Sequence, residues 1–398
     1  MKKYHLFIFI IFSVSLLSQT KTFIREYTYS AGEADSKITS RTIALEQVKR
    51  ILLEEIGVYL QSEMTTTKEE KNEVYNELTK QQIQSITAGI TETKILEEKW
   101  SGDKYYIKAS ISVDPDEVNK NIVRIGADQS KLKELLDVKR KADEAFDEIE
   151  RLRKELASAK SEYDKLAKQK EYNTASNILS ASDWFLKGYN ASKMKDWDNA
   201  ILCFQKAIEL NPCTDGAYSN LGVANYNKGN FDKAIQLYEK VIELNPKFPE
   251  VYYNLGVVYK IKGNIDIAIQ FYEKAIELNP KLAEAHLNLG NIYRTKGNFD
   301  KAIRLYEKAI ELDPQLYQAY NNLGIIFYNK GNLDKSIQLF ENTIELNPQF
   351  AEAYTNLGIA YGNKGNLDKT VQLFIKAANL DDKKAQEWLK NNNIKWSK

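Results

Sequence analysis

The chain has 398 residues, long enough for two or three structural units rather than one. Its 56 Lys and Arg balance 55 Asp and Glu, for a formal net charge of +1, which argues against a polyanionic partner such as nucleic acid. Two His and two Cys in the whole chain leave no disulfide scaffold and no cysteine-built metal site, and disfavour His- or Cys-based catalysis.

In chain order, Met1–Lys3 give a positive start, and Leu6–Leu17 form an apolar run broken only by Ser13 and Ser15. As a helix this run covers roughly 18 Å, short of a ~30 Å hydrocarbon core. The stretch reads as a secretory signal peptide over 1–18, an uncleaved anchor being the alternative. The expectation is an exported protein of the periplasm or cell envelope of a bacterium, or one secreted, with no membrane span after cleavage. Residues 20–125 predict a small α+β domain. Phe23–Ser30 is a strand, Ser36–Ser62 an amphipathic helix with Ala44, Val48, Leu52 and Ile56 on one side, and Ser85–Trp100 and Lys104–Asp114 are paired strands. Tyr105, Ile107, Ala109, Ile111 and Val113 alternate with polar neighbours, so one face is buried. The order strand, Ala-rich helix, then a hairpin ending in KYYIKASISVD is loosely similar to a domain of bacterial envelope and flagellar-assembly proteins.

Residues 130–170 hold no Gly or Pro, and their apolar residues fall at steps of three and four: Leu135, Val138, Ala142, Ala145, Ile149, Leu152, Leu156, Ala159, Tyr163, Leu166. This sustained heptad predicts one long coiled-coil-like helix. The expectation is a homodimer through Leu135–Leu166; the alternative is a single helix whose stripe is covered by its own chain. Glu171–Ser180 reads as a polar link.

From Ala181 to Lys384 the chain repeats at one fixed interval, six times, with units starting at Ala181, Asp215, Pro249, Ala283, Tyr317 and Ala351. Gly recurs at the eighth place (Gly188, Gly222, Gly256, Gly290, Gly324, Gly358), an aromatic-type residue at the fourth, a small one at the twentieth, a ring at the twenty-fourth, and Pro closes five units. Lys-Gly-Asn makes the mid-unit turn from Lys228 onward. The pattern resembles the tetratricopeptide repeat, a helix–turn–helix unit, and implies a mainly α fold: an α-solenoid superhelix over 181–384, with a capping helix and tail in 385–398.

The sixth place is Asn in five units: Asn220, Asn254, Asn288, Asn322 and Asn356. The resemblance puts this place on the concave side. Asn offers a donor and an acceptor together, so the five form a candidate ladder for a peptide's main chain. The alternative is that each bonds within its own unit. Tyr253, Asn291, Arg294 and Tyr328 complete the candidate binding set. Docking of a chaperone's C-terminal carboxylate is disfavoured, because the lysines of such clamps are missing and Glu250 and Glu284 lie nearby. His286 takes a packing place in the repeat, and no phosphate-loop or dinucleotide fingerprint occurs. No catalytic residue, cofactor or metal is expected. The function expected is a non-enzymatic interaction scaffold binding extended segments of partner proteins. A structural spacer, or an enzyme with its site in residues 20–125, are the other readings.

Overall fold

The computed structural model describes residues 20–66, 78–159 and 161–396; the signal-peptide expectation lies outside them. These residues hold three strands and seventeen helices. They divide into two compact units, residues 1–228 and 229–398.

The first unit opens with β1 (Lys21–Ser30) and α1 (Lys37–Thr66), followed by α2 (Lys80–Ile90), β2 (Thr93–Trp100) and β3 (Lys104–Val113). The sheet is antiparallel in the order β1-β3-β2, with Phe23 opposite Ile111 and Tyr29 opposite Tyr105. A bulge between Ile95 and Glu97 shifts the β2 register. The alternating residues of β3 face inward as expected, against the fully buried Ala44, Val48, Leu52 and Ile56 of α1. Burial of that stripe is the main driving force for the layer. One expectation fails here: residues 85–90 form the end of a helix, not a strand. Thr79 and Gln82 make a reciprocal capping box (Gln82 N to Thr79 Oγ1 3.2 Å, Thr79 N to Gln82 Oε1 2.7 Å). Ser85 and Thr87 then donate to carbonyls four residues back, which satisfies their hydroxyls inside the helix.

After α3 (Pro115–Ala127) come α4 (Gln129–Ser158) and α5 (Glu162–Lys193). The single rod of the sequence reading is therefore two helices. Ala159 leaves the helix with extended dihedrals, and Ser161 restarts it by accepting from Asp164 N at 3.1 Å. The two helices pack on each other, α4 also against α2 and α3, and α5 also against α1 and α2. Leu135, Val138, Ala142, Ala145, Ile149 and Leu152 are buried inside one chain, whereas Tyr163 and Leu166 are 85% and 72% exposed. From Leu135 to Leu152 the stripe expected to pair two chains is covered by its own, as the single-chain alternative has it. The expected link at 171–180 is helix as well, with Tyr172, Ala175, Ser176 and Leu179 buried. A polar knot fixes the arrangement. Asp35, whose side chain is fully buried, accepts from Tyr29 Oη (2.9 Å), Gly32 N (2.6 Å) and Tyr172 Oη, while the Arg153 guanidinium lies over the Tyr29 ring at 4.8 Å. The unit closes with α6 (Trp197–Leu210) and α7 (Asp215–Asn227), so the last part of α5 with α6 forms the first repeat hairpin.

The second unit is helical throughout: α8 (Phe231–Leu244), α9 (Pro249–Ile261), α10 (Ile265–Leu278), α11 (Ala283–Thr295), α12 (Phe299–Leu312), α13 (Tyr317–Asn329), α14 (Leu333–Leu346), α15 (Ala351–Asn363), α16 (Leu367–Asn379) and α17 (Lys383–Asn391). Each turn glycine, Gly263 and Gly297 among them, has φ near +80°. The eighth-place glycines Gly188, Gly256, Gly290 and Gly324 make room for the twenty-fourth-place rings: a Cβ on Gly290 would stand 2.8 Å from Tyr306 Cε1. Three of the fourth-place residues share one bond. Tyr252, His286 and Tyr354 each reach the carbonyl of the proline six residues before, at 3.0, 3.1 and 3.2 Å. Asp382 caps α17, accepting from Ala385 N at 2.8 Å, and Trp388 stacks on Phe374 at 4.4 Å between centroids, shielding the last apolar face.

A further regularity escaped the sequence reading. The turn lysine of each repeat pairs with an aspartate of the repeat before: Lys228 with Asp198 in the first unit, and Lys262 with Asp232, Lys296 with Asp266 (2.9 Å), Lys330 with Asp300 (2.9 Å) and Lys364 with Asp334 in the second. These pairs are exposed and individually weak.

Candidate functional site: the trough of the first helices

In the second unit the first helix of each repeat (α9, α11, α13, α15) lies beside the next first helix, as α11 does with α13 and α13 with α15. Places six, nine and twelve of these helices are three residues apart, which puts them on one face. The sixth-place asparagines fall on that face, half-buried.

Their bonds run between repeats. Asn288 Nδ2 donates to Tyr253 Oη at 3.1 Å, Asn322 Nδ2 to Asn291 Oδ1 at 2.8 Å and Asn356 Nδ2 to Asn321 Oδ1 at 3.1 Å. Each amide therefore uses one of its two N–H groups to fix its own orientation, and its other N–H is left over. Asn254 makes no side-chain hydrogen bond among the described residues and keeps its full capacity. Asn220, in the first unit, is different. It donates to Glu134 Oε1 of α4 at 2.5 Å and to its own Gly216 carbonyl at 3.0 Å. The ladder position nearest the head is occupied by the protein itself. Asn291 is occupied too, accepting from Tyr306 Oη at 2.8 Å as well as from Asn322, and Tyr328 Oη accepts from Asn363 Nδ2 at 2.6 Å.

Place twelve holds two cations in succession, Lys260 and Arg294. Arg294 belongs to the expected binding set; Lys260, at the same repeat place, stands outside it, although two basic residues at one position were a readable signal. Lys260 Nζ reaches Asn288 Oδ1 at 3.5 Å, and neither cation forms an ion pair among the described residues. Burial lowers the Lys260 ammonium below its ordinary range. Burial raises the Tyr306 phenol to about 12, and the neighbouring Arg294 opposes that rise. Arg294 Nε is buried without a partner. Glu250 and Glu284 stand at place two, ten residues and roughly 15 Å along the helix from the cations. One edge of the trough is thus acidic and the other basic.

A second concavity, of about 470 Å³, lies in the first unit among α1, α4, α5 and α6. Its charged groups satisfy one another. Asp183 sits between Lys49 and Lys187 (2.9 Å), and Asp143 between Arg50 (2.7 Å) and Lys139 (3.2 Å). Burial pushes the Cys203 thiol on its wall up, away from the reactive thiolate, and both cysteines are free. His286 is a packing residue, as its repeat place implies. A carbonyl only accepts, so Nε2 carries the proton toward Pro280, and buried Nδ1 has no partner. Among the described residues no group of His, Cys, Asp and Glu is arranged to hold a metal, and no helix is long and apolar enough to cross a membrane.

Models of the TPR repeat match residues 193–229, 226–263, 290–331 and 326–365, and models of the tetratricopeptide repeat match 249–282, 271–304 and 351–384. A comparison with curated proteins found no match. Among solved structures, MamA is 35% identical over 42% of this chain and 97% of its own, with a TM-score of 0.38. YrrB, described as a TPR protein with an unusual peptide-binding site, is 26% identical over 47% of this chain and 97% of its own, with a TM-score of 0.40. The Pseudomonas aeruginosa protein pilF is 16% identical over 54% of this chain and 99% of its own, with a TM-score of 0.50.

Proposed function

Because this chain belongs to the tetratricopeptide repeat family, a family of interaction modules, we propose that it is a protein-interaction scaffold whose second unit holds an extended segment of a partner protein along the trough of α9, α11, α13 and α15. The observation that carries this reading is the state of Asn254. It stands half-buried on the trough face with donor and acceptor unspent, in line with amides whose orientation is already fixed. The amide atoms of Asn254 are open to solvent in the free protein, so a partner's main chain can replace water there. A helix-borne row of amides suits main-chain recognition, because a peptide's N–H and C=O are the same in every sequence.

The positive start and apolar run of residues 1–17 support export to the cell envelope; N-terminal sequencing of the mature protein from its host tests this. For the trough, binding of the full chain to an array of immobilised 12-residue peptides is the direct assay. Asn254→Ala removes no internal bond, so it should leave the melting temperature unchanged and weaken every bound peptide. Unaltered binding by Asn254→Ala would overturn the proposal.

A further inference from the structure

Lys260 and Arg294 stand out among the cations of the second unit. Its other lysines and arginines are exposed or have an acidic partner; these two are half-buried with none, among the described residues. A cation at the C-terminal end of a helix is favoured by the helix dipole, and that alone would explain their place in the sequence. It does not explain their burial. The dipole acts equally on a side chain extended into water, yet Lys260 folds back onto Asn288 and Arg294 lies against Tyr306 with Nε enclosed. Taking a charge out of water without a counter-charge is unfavourable, and the two residues face the same trough. Both therefore present partly desolvated positive charge at the asparagine row, and the acids at place two are too far along the helices to neutralise it.

We propose that the trough takes an acidic extended segment from within a partner chain, two of whose side-chain carboxylates seat at Lys260 and Arg294. This rests on the peptide-binding reading above and names its ligand chemistry. Neighbouring helices stand roughly 8–10 Å apart. An extended chain advances about 3.3 Å per residue, so carboxylates two or three residues apart match the two cations. Asn288 and Asn322, beside Lys260 and Asn291 respectively, then lie where the main chain passes. The carboxylates complete the pairing that the free protein lacks, so charge and amide readout fall on one line.

The probe is a fluorescein-labelled 12-residue peptide blocked at both ends, with Glu at every second position. Two companions replace every Glu by Gln, one blocked and one with a free C-terminal carboxylate. Anisotropy with the full chain should show the Glu peptide binding at least tenfold more tightly than the blocked Gln peptide, with affinity falling as salt rises. Lys260→Met with Arg294→Met should erase that difference, and Arg294→Lys, which keeps the charge, should retain most of it; thermal melts verify that all variants are folded. Equal binding of the Glu and blocked Gln peptides, both weakened by Asn254→Ala, overturns the acidic segment and leaves the trough reading intact. If neither peptide binds, both fall. If the free-carboxylate Gln peptide matches the Glu peptide, the anion is a chain terminus and the internal segment is wrong.

Discussion

Gly290 offers a sharp test of how the repeats close on one another. Its α-carbon faces the ring of Tyr306, and an added Cβ would lie 2.8 and 2.9 Å from two ring carbons. Carbon atoms rest at about 3.5 Å or more, so the ring would have to retreat by roughly 0.7 Å. It has little freedom to do so, since Tyr306 is fully buried and its hydroxyl is held by Asn291 at 2.8 Å. Gly290→Ala should therefore cost about 1–3 kcal/mol in overpacking and about 1 kcal/mol if the hydroxyl bond is broken. Against this stands the better helix propensity of Ala, about 1 kcal/mol. The net expectation is a loss of about 1–3 kcal/mol. Gly358 is the internal control. There the nearest atom to an added Cβ is Leu373 Cβ at 3.4 Å, an ordinary contact, so Gly358→Ala should be neutral or stabilising by up to about 1 kcal/mol. Hydrogen exchange is the assay of choice, because repeat arrays open locally, and α11 and α12 should lose protection only in the first variant. Equal stability of the two variants, or of Gly290→Ala and the parent, would refute the steric account of the eighth place.

Two further expectations follow from titratable groups. Burial depresses the His286 imidazole below 6.5, outweighing the raising effect of the Pro280 carbonyl. The unfolded chain thus takes up the proton first, and the second unit should lose stability as pH falls through 6.5, levelling off below the depressed folded value. His286→Tyr, the residue at this place in two other repeats with the same carbonyl bond, should melt higher and lose that dependence; identical pH profiles for parent and variant would contradict this. Burial alone would raise Asp183, but Lys49 and Lys187 reverse it and hold the carboxyl at about 2, against an ordinary 3.8. Its contribution, about 2 kcal/mol, is present above the ordinary value and lost as pH drops from about 4 to 2. Asp183→Asn should show a flat response in that window when α1 protection is followed by hydrogen exchange, and a response like the parent's would rule the pair out.

The repeats were legible because each unit packs on its neighbours through the same few places, so packing writes itself into the spacing of Gly, ring and Pro. The β3 alternation and the Ala44–Ile56 stripe were legible for the same reason: one buried face, one period. The break at Ala159 was not, because Ala159, Lys160 and Ser161 contain neither Gly nor Pro and all tolerate a helix; tertiary contacts of α4 and α5 decide it. Nor can a heptad stripe say whose surface covers it. Residues 85–90, with Ile86 and Ile90 among small residues, fit either period, and the cap at Thr79 that settles the matter lies outside the window. The asparagine row was visible, but its bonds were not. Glu134 is far from Asn220 in the chain, and no local pattern joins them.

The lysine–aspartate pairs between successive repeats carry an implication for how such an array can change. Every bridge takes its cation from one repeat and its anion from the one before. A tandem duplication of one whole unit would arrive with both halves of a bridge in register, and excision of a whole unit would rejoin the flanking halves. The array can therefore lengthen or shorten in whole modules without leaving a mismatched seam.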